Sequence, residues 1–474
     1  MSDDSSALST GKRDRTFALI IISVSSFISA FSGSAFTLAA PTMAKELSIN
    51  TTELSWIVTI YVLATAMLQI PFGKISDNYG RKKVYFTGTI IFSSAALILG
   101  FMNSATSIII MRFVQGVGGA LIFATGTAIL TSVFPPEKKG LAFGINIGSV
   151  YTGLTIGPSL GGFMTEFFGW RSIFFSIVPF GFVIAILVGF VLKGEWKAGV
   201  KEKFDWIGSL IYIATLFMLL YGFRSLPKNY GFGLIGASIV TLVIFILWEW
   251  KIDYPILQFR LFQNNNFFTF ANLAAFTYYT ATAATTFILS LYLQNIIGYS
   301  ALYAGLILLA RPVFQAVLSP IGGKLSDTVE HRIITTLGVA FGLIGLVLLI
   351  FLNSSSSLSL IILSLIFGGI GFGLFSSPNA NSIMSAVSRE NYGVASALVG
   401  TMRTVGQTIS LGLVTLLFAV ILGNTETEAV NYEPLFLRSS QIAFIIFVVV
   451  CVISLVFSYL RGKNNYFEIT NINE

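Results

Sequence analysis

Arg112, Arg311 and Arg403 each stand inside a long apolar stretch, in MRFVQGVGGA, LILLARPVFQ and GTMRTVGQTI. A guanidinium stays protonated at physiological pH and cannot itself titrate. At the centre of a membrane helix it costs about 2.5–3.5 kcal/mol on insertion scales unless it is paired or solvated. Such a cation can hold backbone carbonyls, brace a gate or attract an anion. A second grouping lies in GKISDNYGRKK, where Gly73, Asp77, Gly80, Arg81 and Lys82 bring an acid and bases within pairing distance. Asp77 can meet Arg81 one helical turn on, or the N-terminus of a neighbouring helix. Other chemistry is scarce. The single histidine, His331, sits in a charged loop and cannot assemble a metal cluster alone, and the single cysteine, Cys451, has no disulfide partner. No segment has the GxxxxGK[ST] spacing of a nucleotide-cradling loop. The residues therefore predict no enzyme, no cofactor and no metal site.

The elements that must position these groups are apolar. Of 474 residues, 55% are hydrophobic and 10% charged, against roughly 25% charged in soluble domains. Mean hydropathy is +0.83. A soluble, disordered or nucleic-acid-binding protein is excluded despite the net charge of +7. Fourteen runs approach the roughly 20 residues that a bilayer-spanning helix needs. They lie near 17–40, 55–73, 84–102, 106–132, 141–164, 172–192, 206–224, 231–250, 267–295, 302–323, 332–352, 357–378, 393–422 and 437–460. None alternates in polarity as a barrel strand would. With the N-terminus inside, most of the 28 Lys and Arg residues fall on inner segments, among them Lys12, Arg13, Arg81, Lys82, Lys83, Lys197, Arg389 and Arg461. That bias predicts an N-in, C-in topology. No cleavable signal is expected, and the acidic outer loop GNTETEAVNYEPLF reads as flexible.

An internal repeat organises the runs. Gly73-Lys74-Ile75-Ser76-Asp77 recurs as Gly323-Lys324-Leu325-Ser326-Asp327, and Gly140 is echoed by Gly393. The expected fold is an all-α integral membrane protein built from two parallel six-helix bundles. Expected boundaries are a tail over 1–16, a bundle over 17–192, an inserted helix pair over 193–264, a second bundle over 265–461 and a tail over 462–474.

The motifs resemble those of the major facilitator superfamily. GKISDNYGRKK is similar to its loop signature, and MRFVQGVGGA, with Arg112 and Gln115, is similar to its second motif. GLTIGPSLGG, with Gly153, Gly157, Pro158, Gly161 and Gly162, resembles the motif associated with exporters. FGWRSIFFSIVPFG, PILQFRLFQNNNFF and YLQNIIGYSALYAGLILLARP extend the resemblance to the fourteen-helix drug:proton antiporter branch, from about residue 17 to 460. The resemblance implies a monomeric, multi-pass exporter of small amphipathic compounds in a prokaryotic plasma membrane, with protons as coupling ion. It implies a cytoplasmic gate at Gly73, Asp77, Gly80, Arg81, Lys82 and Asp327. Coupling or gating falls to Arg112, Gln115 and Arg403, with the guanidinium of Arg112 on backbone carbonyls of the first helix. Partners are a small-molecule substrate and the lipid bilayer, with no nucleic acid.

One departure shapes the alternatives. Relatives carry an Asp nine residues before the proline of the first helix, and here that position is Ser32. All 21 carboxylates lie in loops or at helix ends, whereas a buried acid is the usual proton carrier and cationic-drug partner. Arg311 either attracts an anionic cargo from within the cavity or is satisfied by snorkelling or by a helix C-terminus. Further cavity candidates are Tyr278, Tyr279, Gln69, Tyr151, Gln315, Asn379 and Gln407, each also able to serve as an interhelical hydrogen bond. Transport of anionic or zwitterionic compounds, and a non-transporting membrane sensor, are the competing functions.

Overall fold

The computed structural model describes residues 11–192, 194–197, 203–263, 265–423 and 431–462. Among these the regular structure is helical throughout. The helices are α1 (Lys12–Glu46), α2 (Thr51–Tyr79), α3 (Arg81–Leu99), α4 (Ala105–Val133), α5 (Lys139–Phe168), α6 (Arg171–Phe190), α7 (Trp206–Arg224) and α8 (Asn229–Glu249). They continue as α9 (Asn266–Thr282), α10 (Thr285–Leu291), α11 (Ala301–Leu308), α12 (Ala310–Ser326), α13 (His331–Ile350), α14 (Leu358–Ser385), α15 (Tyr392–Ile421) and α16 (Tyr432–Leu460). Much of the acidic loop, both tail ends, Lys193 and Lys201 lie outside the described residues.

Local chemistry sets several boundaries. Asn50 and Glu53 form a reciprocal capping box at the start of α2, with bonds of 2.9 and 3.2 Å. Asn265 caps α9 by accepting from the Phe268 N–H at 2.9 Å. Among the described residues, twelve helical segments are long and apolar enough to cross a membrane, the stretch Leu302–Ser326 through α11 and α12 being one of them. α5 runs for 30 residues unbroken through Pro158, but its glycines and polar residues dilute its hydropathy. The run expected as one helix over 267–295 is instead divided. α9 stops at Thr282, α10 begins at Thr285, and a π-turn covers Tyr292–Ile296. In FTYYTATAATTF the hydroxyls of Thr277, Thr280 and Thr282, just before the break, bond back to carbonyls one turn earlier at 2.7–2.8 Å, a contact that favours bending. The run at 302–323 also divides, into α11 and α12, where Pro312 has no N–H to offer the carbonyl of Leu308.

The chain forms two compact units. The first holds Met1–Ser209, Ile252–Leu257 and Val387–Thr401, and the second Leu210–Lys251, Gln258–Ala386 and Met402–Glu474. In the first, α1 lies along α5, α4 along α2 and α3, and α3 against α6. Small residues let these backbones close. A Cβ at Gly153, Gly157 or Gly161 of α5 would fall within 2.5 Å of Phe27 O, Ser34 Oγ or Ala35 O on α1. In the second unit α14 packs along α12 and α13, and α16 against α9 and α13. Large apolar side chains also face outward, Phe190 at 85%, Val420 at 72% and Leu302 at 71% exposure. A surface of that kind suits lipid contact rather than water.

Cys451 is fully buried in α16, with Sγ 3.8 Å from the Val339 carbonyl oxygen. His331 is not a loop residue: it opens α13 and meets the Phe267 ring edge-on, centroids 6.1 Å apart.

Candidate functional site

The densest charged constellation sits in the first unit, where α2 ends and α3 begins. Asp77 and Arg81 are almost fully buried. Asp77 Oδ1 accepts from Arg81 Nη2 at 2.7 Å and Nε at 3.1 Å. The same carboxylate accepts the Gly393 N–H at 2.8 and 3.0 Å and the Val394 N–H at 3.2 Å. Those amides belong to the first turn of α15, which has no intrahelical acceptors and carries the positive end of the helix dipole. Both partners that the spacing offered Asp77 are therefore engaged together. Arg81 completes its set with Ser132 Oγ at 2.9 Å and the Arg389 carbonyl, and lies 5.2 Å from the Tyr392 ring centroid. Gly73 makes this approach possible: a Cβ there would lie 2.6 Å from the Gly393 carbonyl oxygen.

Gly80 joins α2 to α3 at φ +114°, a region favouring glycine. A Cβ at Gly80 would also strike the Glu195 carboxyl at 2.5 Å. Glu195 Oε1 accepts the Lys82 N–H at 2.9 Å, and the Trp196 carbonyl accepts the Arg81 N–H at 2.8 Å. The segment after α6 thus caps α3 from outside, while Lys82 Nζ donates to the Leu192 and Gly189 carbonyls at 2.5 and 3.2 Å. Burial pushes the Glu195 carboxyl above its usual range, opposed by its bonds to the Lys82 and Lys83 amides and by the charges of those lysines. Sequence reasoning missed Glu195; its only signal was an acid among Lys193, Lys197 and Lys201.

In the repeat, Ser76 and Ser326 each donate to the carbonyl three residues earlier at 2.7 Å, to Gly73 and Gly323. Ser326 Oγ also accepts from Asn381 Nδ2 at 3.1 Å, and Asp327 follows as the residue closing α12.

Arg112, on α4, is buried inside the first unit, 1% exposed. Its carbonyl contact is to Ile57 of α2 at 3.4 Å, not to the first helix as expected. The first helix is reached through an intermediary. Arg112 Nη1 donates to Gln115 Oε1 at 2.8 Å, and Gln115 Nε2 donates to Ser32 Oγ of α1 at 3.3 Å. Ring centroids of Phe36, Tyr61 and Phe174 lie 4.6, 4.8 and 5.9 Å from the guanidinium carbon. Those π faces solvate a cation where water is excluded. Gln69 and Tyr151 are buried in the same unit, and Gln69 abuts Gly400 so closely that a Cβ there would lie 2.0 Å from its Oε1.

The second unit brings together some of the cavity candidates. Tyr278 and Tyr279 are buried on α9, with ring centroids 4.4 Å from Phe375 and 5.7 Å from Phe372 respectively. Arg311 is buried and its Nη1 donates to the Thr282 carbonyl at 2.8 Å, the C-terminal end of α9. Gln315 is buried one turn further along α12; Arg403 and Gln407 are half-buried on α15. Asn379 faces elsewhere. It donates to the Ala271 carbonyl at 3.2 Å and accepts from Arg461 Nη2 at 2.8 Å. Arg461, expected as an inner-loop charge, is 2% exposed and also donates to Ser382 and Ser458 at 3.1 and 3.4 Å. It follows the last apolar residues directly and turns back into the bundle.

The sequence matches the family described as Major Facilitator Superfamily over residues 22–409 and again over 271–469. It is 31% identical over 450 residues to the riboflavin transporter RibZ of Clostridioides difficile (strain 630), covering 94% of this chain and 97% of that one. It is 27% identical over 424 residues to the multidrug transporter protein MdtP of Bacillus subtilis (strain 168), covering 87% and 77%. The crystal structure of the human organic anion transporter MFSD10 (TETRAN) aligns with a TM-score of 0.65 and 11% identity, over 94% of this chain and 100% of that chain. At that identity the likeness is one of fold.

Proposed function

The chain belongs to the major facilitator superfamily and is a multi-pass membrane transporter of small molecules, not an enzyme; on that premise we propose that its cargo is a small, ring-bearing amphipathic compound without net positive charge. The observation that carries this reading is the character of the buried polar groups. Arg112 is solvated by rings and an amide, and Tyr278 and Tyr279 present hydroxyl-bearing rings beside Phe372 and Phe375. Among the described residues the buried carboxylates Asp77, Asp205 and Glu249 lie at helix ends or just outside them. A cationic drug would lack the counter-charge that usually holds it.

Riboflavin is the first cargo to test, because a relative sharing 31% identity over almost its full length is named as its transporter. Export of a broader set of amphipathic compounds is the second reading, favoured by the likeness to a multidrug transporter. Fourteen spans follow if α5 and the divided α9–α10 segment cross with the twelve more apolar segments, giving N-in, C-in in a prokaryotic plasma membrane. The expected division into a bundle over 17–192, an inserted pair over 193–264 and a bundle over 265–461 belongs to the same proposal. In it a monomer works by alternating access and protons drive it. Asp77 and Arg81 latch the α15 N-terminus in one state and release it in the other, Arg112 couples α4 to α1 through Gln115, and Arg403 steadies α15.

Proteoliposomes bearing the protein test the reading. Saturable riboflavin movement is expected, slowed several-fold when an imposed pH gradient is collapsed, with the cationic dye ethidium moved little. Ethidium movement without riboflavin movement would overturn the cargo assignment, and a riboflavin rate indifferent to the gradient would remove proton drive. Movement of anionic dyes alone would select the anion-transport alternative, and movement of no compound the sensor.

A further inference from the structure

Between α9 and α10 the helical ladder is interrupted, and side chains from two other helices close both sides of the gap. Arg311 of α12 donates to the Thr282 carbonyl at 2.8 Å, and Ser410 of α15 accepts the Ala284 N–H at 3.0 Å. Arg311 is 7% exposed and Ser410 fully buried. Backbone groups freed inside an apolar span are costly unless satisfied internally, so the break persists because these two residues satisfy it. The bond from a guanidinium is the stronger of the two, being charge-assisted. The face of α14 that Arg311 passes is glycine. A Cβ at Gly369 would lie 2.6 Å from the Arg311 carbonyl oxygen, and one at Gly368 would lie 3.7 Å from Nε. Thr285, the first residue of α10, buries a hydroxyl that has no hydrogen-bond partner among the described residues.

We propose that Arg311 and Ser410 are positioning residues that pin the α9–α10 break, and that Arg311 serves transport by fixing backbone geometry rather than by binding cargo. The break lies one turn beyond Tyr278, whose carbonyl accepts from Thr282 Oγ1 at 2.8 Å. Its angle therefore sets how Tyr278 and Tyr279 present themselves. A cation committed to a helix C-terminus also has part of its field neutralised by that helix's dipole, which leaves less of it for an anion.

Hydrogen–deuterium exchange on the full-length protein in nanodiscs tests this independently of cargo. In Arg311→Met and Ser410→Ala, amides 283–288 are expected to exchange about tenfold faster, with α13 unchanged, because a satisfied buried bond is lost. Arg311→Lys retains a donor and should stay near the parent. Ser410→Ala, the milder change, keeps the test open if Arg311→Met folds poorly. Unaltered protection at 283–288 in Ser410→Ala, and in Arg311→Met where it folds, would overturn the proposal. A second readout rests on the riboflavin reading: Arg311→Met should lower the maximal transport rate several-fold, leave half-saturation within about twofold, and be rescued by Arg311→Lys. A raised half-saturating concentration at unchanged maximal rate would make Arg311 a cargo contact instead. Absence of riboflavin transport by the parent protein would reject the cargo alone, since the exchange measurement does not depend on it.

Discussion

Arg81 of the first unit and Arg461 of the second are equally buried, each 2% exposed, yet they are held in opposite ways. Arg81 faces a carboxylate that is itself bonded to two amides at the start of α15. Arg461 faces an amide oxygen and two hydroxyls, all neutral. Burial alone does not give a charge its energetic weight; what remains behind when the charge is removed does. Taking Asp77 away strands a guanidinium and two helix-end amides, whereas taking Arg461 away strands only groups that can turn to other neutral partners.

The sharpest way to break this comparison is Asp77→Ala. It is expected to destabilise the protein by about 3–5 kcal/mol, the usual cost of leaving one member of a buried pair alone, and to cut transport more than tenfold. Thermal unfolding and proteoliposome flux read the two effects. A loss no greater than that of Arg461→Met would erase the distinction. Arg461→Met itself should change stability by within about 1 kcal/mol in either direction, because lost neutral bonds are offset by the relieved burial of a charge.

The smallest effect belongs to an exposed pair, which sets the lower end of the scale. Glu46 closes α1 and accepts from Trp170 Nε1 at 2.8 Å and from Arg171, which also donates to Asn103 at 2.6 Å. The bond from Arg171 holds the Glu46 carboxyl below its ordinary value of 4.5. Its stabilising contribution is therefore complete above that value and fades as pH falls through the lower folded value. Under about 1 kcal/mol is expected for so exposed a pair. Glu46→Gln should remove this acid-side loss while leaving neutral-pH stability slightly reduced, as pH-dependent unfolding would show.

Groups bonded close along the chain were largely legible in the sequence. Asp77 and Arg81 are four residues apart on adjoining helix ends, and the glycines at 153, 157 and 161 recur on one helical face. What the sequence hid were acceptors supplied from afar. Glu195 reaches Lys82 across 113 positions and Asp77 reaches Gly393 across 316. Arg112 was readable as a buried cation, but its route to α1 runs through Gln115 and Ser32, a serine whose hydroxyl looked like a mere substitution for an acid. Arg461 was hidden differently. A basic residue after an apolar run reads as a topology marker, and only packing reveals that it turns inward to Asn379. The threonines before residue 283 did not mark the α9 break in the sequence, because α5 carries the same back-bonding hydroxyls and runs unbroken.

The burial of Cys451 has a practical consequence. It is the chain's single thiol and is 0% exposed within α16. An alkylating dye can reach it only when α16 separates from α13, so its rate of labelling on warming reports unfolding of the second unit without any added probe. Cysteines introduced elsewhere on the surface would then be the only ones to react in the native state, and accessibility mapping of this transporter can begin from the unaltered chain.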